Sequence, residues 1–228
     1  QSVANGGFVN NELGYDIAFT AGDGTTPLHA DLESYNPLTG ALVAWVLLPT
    51  LSPDYDSALY IYLESSAQTK EQQFSREVWS NGYVGVYHFS KNDSLDLSDS
   101  TSFSNHGTTI GSGVVSAGSP IATGVFVPKT SNAIKITASD SLSLTNTLTV
   151  ESWLNLPALP HDYQAVYILG KEYYLNPIAA SYNLYLASGS GNNPTAYIGT
   201  SLGGVKSVAS QSIAALALNS WHHFAGTY

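Results

Sequence analysis

The chain has 228 residues, 43% of them hydrophobic and only 11% charged, with a net charge of −10. That length suits one large or two small β domains with a packed core, and the acidic balance excludes nucleic acid and an anionic membrane surface as partners. Cysteine is absent, which excludes disulfides, thiolate catalysis and Cys-based zinc sites, and no stretch reaches the ~18 apolar residues of a membrane span. The uncharged polar surface this composition requires is that of a secreted or cell-surface protein, and zero Cys suits a prokaryotic one. Methionine is also absent, so the expectation is a processed or excised piece.

Residues 1–14 (QSVANGGFVNNELG) are rich in Gly and Asn and predict a loop. A short strand is expected over 15–20, then a turn at Asp23-Gly24, where Gly tolerates positive φ. His29–Tyr35 alternates, with Ala30, Leu32 and Ser34 on one face and His29, Asp31, Glu33 and Tyr35 on the other, expected to be the outer one. A turn at Asn36–Gly40 leads to ALVAWVLL (41–48), a continuous apolar run that predicts a strand buried on both faces. Ala58–Leu63 is expected to pair with it. Residues 64–79 are the one helix-like stretch.

A strand is expected at YVGVYHF (83–89), followed by a Ser/Asp/Asn-rich loop to Gly107 and short strands over 108–127. AIKIT (133–137) alternates. So does LTVESWL (148–154), with Leu148, Val150, Ser152 and Leu154 opposite Thr149, Glu151 and Trp153. AVYIL (165–169), YNLYLA (182–187), residues 195–199 and WHHFAGTY (221–228) complete a series of short, evenly spaced strands. The pattern predicts an all-β fold: a small antiparallel β domain over 1–80 and a jelly-roll β-sandwich over 81–228. Trp45, Trp153 and Trp221 are expected in the core, and Trp79 at a junction between the halves.

Two resemblances rest on these strings. DIAFTAGDGTTPLHADLESYNPLTGALVAWVLLPTLSPDYDSALYIYL followed by VWSNGYVGVYHF resembles the domain family of unknown function DUF2341, over residues 15–89. YVGVYHF, Asn105-His106-Gly107, SDSLSLTNTLTVESWLNL (139–156) and SWHHFAGTY (220–228) resemble a LamG-like domain of the concanavalin A-like superfamily. The resemblance implies a concanavalin A-like jelly roll. Against both patterns the chain is short at its two ends, so a fragment, or strands completed by neighbouring chains, is expected.

Candidate chemistry is sparse. Glycoside hydrolysis needs two carboxylates about 5–9 Å apart facing one groove. The acidic strand signature of glucanases related to the resembled fold, Glu-x-Asp-x-(x)-Glu, is missing, Asp31 and Glu33 lie in the first half, and Glu151 has no carboxylate partner. No Gly-x-Ser-x-Gly elbow is present. His222 and His223 are adjacent, so on a strand they face opposite ways and are poorly placed to hold one metal. Calcium is the one cofactor with a candidate site, at Asp93, Asp96, Asp99 and Asn105, hard oxygen donors on an irregular loop. Ligand contact is assigned to His161, Tyr163, Tyr167, Tyr173 and Tyr174, because exposed Tyr gives contact area at little entropic cost. The expectation is a non-enzymatic extracellular module that binds glycans or surface proteins. A structural subunit joined to identical subunits through sheet edges is the alternative, and a glycoside hydrolase ranks last.

Overall fold

The computed structural model describes residues 1–64, 75–91, 94–128, 131–144, 146–161, 165–171, 181–188, 194–202 and 205–228. The chain forms two compact units, Gln1–Thr137 and Ala138–Tyr228. The boundary expected at residue 80 falls inside the first.

The first unit contains β1 (Ala18–Ala21), β2 (Pro27–Leu28), β3 (Ala30–Tyr35), β4 (Leu42–Val46), β5 (Leu59–Tyr62), a single helical turn α1 (Ser75–Val78), β6 (Gly107–Ile110), β7 (Val115–Gly118), β8 (Thr123–Phe126) and β9 (Ala133–Ile136). They form one three-stranded sheet, β2-β1-β5, and the antiparallel pairs β3-β4, β6-β9 and β7-β8. The β3-β4 hairpin follows from its turn. Asn36 Oδ1 accepts the Leu38 and Thr39 N–H groups, and Gly40 closes the turn at φ 78°, a conformation other residues adopt only with strain. That turn commits β4 to β3, so Ala58–Leu63 does not pair with 41–48 as expected. Instead β5 pairs with β1, Phe19 opposite Ile61.

A core of Val9, Ile17, Phe19 and Tyr35 lies beneath these strands, with Leu28, Ala30, Leu32, Leu42, Ala44 and Val46 packed on it. Fully burying each large apolar side chain is worth about 1.5–3 kcal/mol. The strict alternation expected for β3 breaks at Glu33. The register slips there, Leu32 facing Ala44 and Ser34 facing Val43. This bulge returns Tyr35 to the core that Leu32 packs on. A second correction concerns YVGVYHF: residues 83–89 join no ladder, for a reason given below.

The second unit contains β10 (Thr149–Asn155), β11 (Ala165–Lys171), β12 (Ser181–Ser188), β13 (Pro194–Leu202), β14 (Val205–Ser212) and β15 (Trp221–Thr227). Two antiparallel sheets, β10-β15 and β11-β12-β13-β14, face each other. Leu148, Val150, Tyr182, Leu184 and Ile198 fill the space between them, joined by Leu144, Ile168, Leu169 and Phe224. Alternation in β10 places Val150 inward and Glu151 and Trp153 outward. β15 crosses β13 so closely that a Cβ on Gly226 would stand 2.7 Å from Ile198 Cδ1, so glycine is what the approach permits. The described chain is thus all-β and antiparallel in its ladders, with a β-sandwich in the second unit.

Candidate functional site

The densest chemistry in the first unit lies on the face of β3 opposite the apolar core. Asp31 and Glu33, expected at the surface, are each 5% exposed. The His88 ring lies between them, Nε2 3.0 Å from Asp31 Oδ2 and Nδ1 3.3 Å from Glu33 Oε2. Trp79 donates its indole N–H to Asp31 at 2.8 Å and Trp45 donates to Glu33 at 2.6 Å. Trp45 stacks on His88 with ring centroids 5.9 Å apart, and Trp79 meets Trp45 edge-on at 5.4 Å.

A buried carboxylate must be paired and hydrogen-bonded to persist, and here each accepts an imidazole and an indole N–H. Burial opposes a charged His88, but hydrogen bonds to Asp31 and Glu33 and the charges of both outweigh it, raising its pKa to about 9. Burial likewise opposes a charged Asp31, yet the bonds from His88 and Trp79 and the His88 charge hold its pKa below the usual range. The carboxylates are committed to internal donors and shut away from solvent. This cluster fastens residues 79–88 to β3. Trp45 and Trp79 are thus hydrogen-bonding members of a polar cluster.

A second knot explains why residues 83–89 carry no ladder. Asp99 accepts four bonds: Val86 N–H and Thr101 N–H on Oδ1, and the Thr101 hydroxyl and Asn105 N–H on Oδ2. Asn105 donates its side-chain amide to Val84 O, and Ser100 N–H donates to Val86 O. The extended segment is therefore satisfied by side chains and loop backbone, which meets the same accounting a neighbouring strand would. Of the calcium candidates, Asp99 and Asn105 are brought together in this clasp, with donors already on both carboxylate oxygens. Asp96 caps its own loop through Ser98 N–H, and Asp93 lies outside the described residues. Among the described residues no group of three or more His, Cys, Asp or Glu is arranged to hold a metal.

In the second unit the outward face of β10-β15 carries an aromatic and polar patch. Trp153 sits opposite His223 in register, and Glu151 opposite Ala225. Trp153 is 43% exposed, contrary to its expected core position, and its ring centroid is 5.3 Å from that of His223. His223 Nε2 lies 3.5 Å from Glu151 Oε2, both side chains largely in solvent. His222 turns to the other side and meets Ala217 O at 2.8 Å, so the adjacent histidines do face opposite ways. On the outer face of the larger sheet Tyr185 and Tyr197 stack at 5.0 Å, 13° from parallel.

Of the residues assigned to ligand contact, His161 is exposed. Tyr167 occupies the register position opposite Tyr185, which sequence reasoning did not connect with it. Tyr163, Tyr173 and Tyr174 lie outside the described residues. The sequence did carry a pointer to Trp153, since alternation sets it on the face opposite Val150.

Residues 128–228 match the family model Laminin_G_3, of the concanavalin A-like lectin/glucanases superfamily. A concanavalin A-like domain therefore occupies this stretch, a fold whose superfamily name covers both binding proteins and hydrolases. Neither curated proteins nor solved structures gave a match to the chain.

Proposed function

We propose that this protein is a non-catalytic extracellular binding module that recognises glycans through the outward face of β10-β15. The observation that carries the reading is Trp153, an exposed indole flanked by the Glu151–His223 pair. A flat aromatic face stacks on the apolar side of a sugar ring, and an adjacent carboxylate and imidazole accept and donate hydrogen bonds to its hydroxyls. Binding sites of this kind combine apolar contact with a few placed polar groups. Hydrolysis would need a second carboxylate within about 5–9 Å. The register neighbours of Glu151 on its face are Thr149, Trp153, His223, Ala225 and Thr227, and the Asp31–Glu33 pair is buried under His88.

The same reading takes residues 15–89 as a DUF2341-like domain on the strings quoted above, and places the protein at a prokaryotic cell surface because of its low charge and lack of cysteine. A glycan array probed with the wild type and with Trp153→Ala tests it. Hits that vanish in the variant support the site, and a blank array for the wild type removes the glycan assignment.

A further inference from the structure

Trp153 does not stand by itself on its face. In β15, Phe224 packs on the core and Gly226 faces Ile198, so alternation turns Trp221, His223, Ala225 and Thr227 outward. Trp221 therefore shares the outer face with Trp153 and, like it, departs from the core position expected of it. It is half-buried there rather than enclosed.

Register fixes how the two indoles stand. Trp153 lies opposite His223 and Asn155 opposite Trp221. The tryptophans are thus diagonal neighbours across an antiparallel pair, about 7–8 Å apart at the backbone and within reach of each other's ligand. Polar groups continue along the same line. Asn155 is beside Trp221, His223 beside Trp153, then comes Glu151, and then Thr149 opposite Thr227, all of them exposed. At about 3.3 Å per residue, the run from Asn155 to Thr149 is about 20 Å long.

A single sugar ring covers one indole and leaves the rest of this line empty. The side chains along it narrow what fills it. Ala225 is the one aliphatic residue among the outward positions, so the face lacks the continuous apolar centre of a protein–protein interface. Those positions hold no Lys or Arg, and the imidazole of His223 already faces Glu151 at 3.5 Å, so a polyanionic chain finds no free cation. Flat rings interleaved with carboxamide, carboxylate and hydroxyl groups match a neutral chain whose units offer apolar faces and hydroxyl edges in turn. Pyranoses with equatorial hydroxyls, joined by β-linkages, extend as a flat ribbon of this kind.

We infer that the outer face of β10-β15 binds an extended, neutral, β-linked polysaccharide along its strands, with Trp153 and Trp221 stacking on neighbouring units of one chain. Asn155, His223 and Glu151 then take hydroxyls along its edges. This rests on glycan recognition by the same face and adds to it a chain length, a direction and a second stacking residue.

Calorimetric titration of the full chain with the disaccharides and hexasaccharides of the cellulose, xylan and chitin backbones is the test. In one series the hexasaccharide is expected to bind at least about tenfold tighter than the disaccharide. Trp153→Ala should weaken both, whereas Trp221→Ala should bring the hexasaccharide down to the affinity of the disaccharide. Asn155→Ala, at an exposed polar position, is the second variant should Trp221→Ala disturb folding. It should lower hexasaccharide affinity about threefold and leave the disaccharide unchanged. Equal affinity for the two lengths overturns the inference, as does a gain with length that survives both variants. In either case binding that depends on Trp153 leaves the glycan-binding face standing. Glycan-array hits confined to charged or α-linked glycans likewise overturn the inference alone, while silence in every series and on the array removes both.

Discussion

His88 stands 3.0 Å from Asp31 with both side chains nearly out of solvent, so the pair ties the stability of the first unit to pH. His88 is raised from its ordinary 6.5 to about 9 on folding. Its contribution is complete below about pH 6.5 and is lost as pH rises through 9. Asp31 is lowered, so its contribution is present above its unfolded value near 3.9 and is lost as pH falls through the folded one. The unfolding free energy from urea titrations should therefore plateau between about pH 4 and 6.5 and fall on either side, by about 3 kcal/mol on the alkaline limb. That alkaline limb should vanish in His88→Gln.

Removing the imidazole leaves two buried carboxylates facing each other. His88→Ala should cost about 3–5 kcal/mol. Trp79→Phe and Trp45→Phe, which each delete one indole donor, should cost about 1–3 kcal/mol. Equilibrium unfolding of the three variants gives the order, and equal losses would show that the rings matter only as packing.

The four bonds that Asp99 accepts make a prediction that can be measured. Asp99→Ala orphans the N–H groups of Val86, Thr101 and Asn105 and should lower Tm strongly, since each buried unsatisfied donor costs about 1–3 kcal/mol. The drop should be the same in excess calcium and in EDTA. A drop seen only with calcium present would return Asp99 to the metal.

Gly226→Ala sets a methyl group against Ile198 and should destabilise the second unit by about 1–3 kcal/mol. Shortening the opposing side chain with Ile198→Val should recover part of that loss in the double variant. Additive losses would mean that β15 moves rather than presses on β13.

Local chemistry was legible wherever a residue acts through its neighbours in sequence. The Asn36–Gly40 turn, the alternation of β10 and the opposed faces of the adjacent His222 and His223 all follow from residues within a single turn or strand. Long-range partners were not legible. Nothing in Ala58–Leu63 tells β1 from β4 as its neighbour, since both offer an apolar partner and the preceding turn had already committed β4. Asp31 and Glu33 look like surface residues in isolation, because the groups that bury them, Trp79 and His88, come 48 and 57 residues after Asp31. YVGVYHF has strand composition, yet the side chains of Asp99 and Asn105 supply its partners. For Trp153 two local signals conflict: the general preference of Trp for the interior points inward, while the alternation of β10 sets it outside, and the alternation prevails.

Trp153 is the contact residue of the proposed binding face, and calorimetric titration of an array-selected glycan into wild type and Trp153→Ala tests that role most directly. Truncating a central aromatic contact is worth about 2 kcal/mol, which predicts about a thirtyfold loss of affinity at unchanged Tm, Trp153 being exposed. Equal affinity in the two proteins would contradict the account.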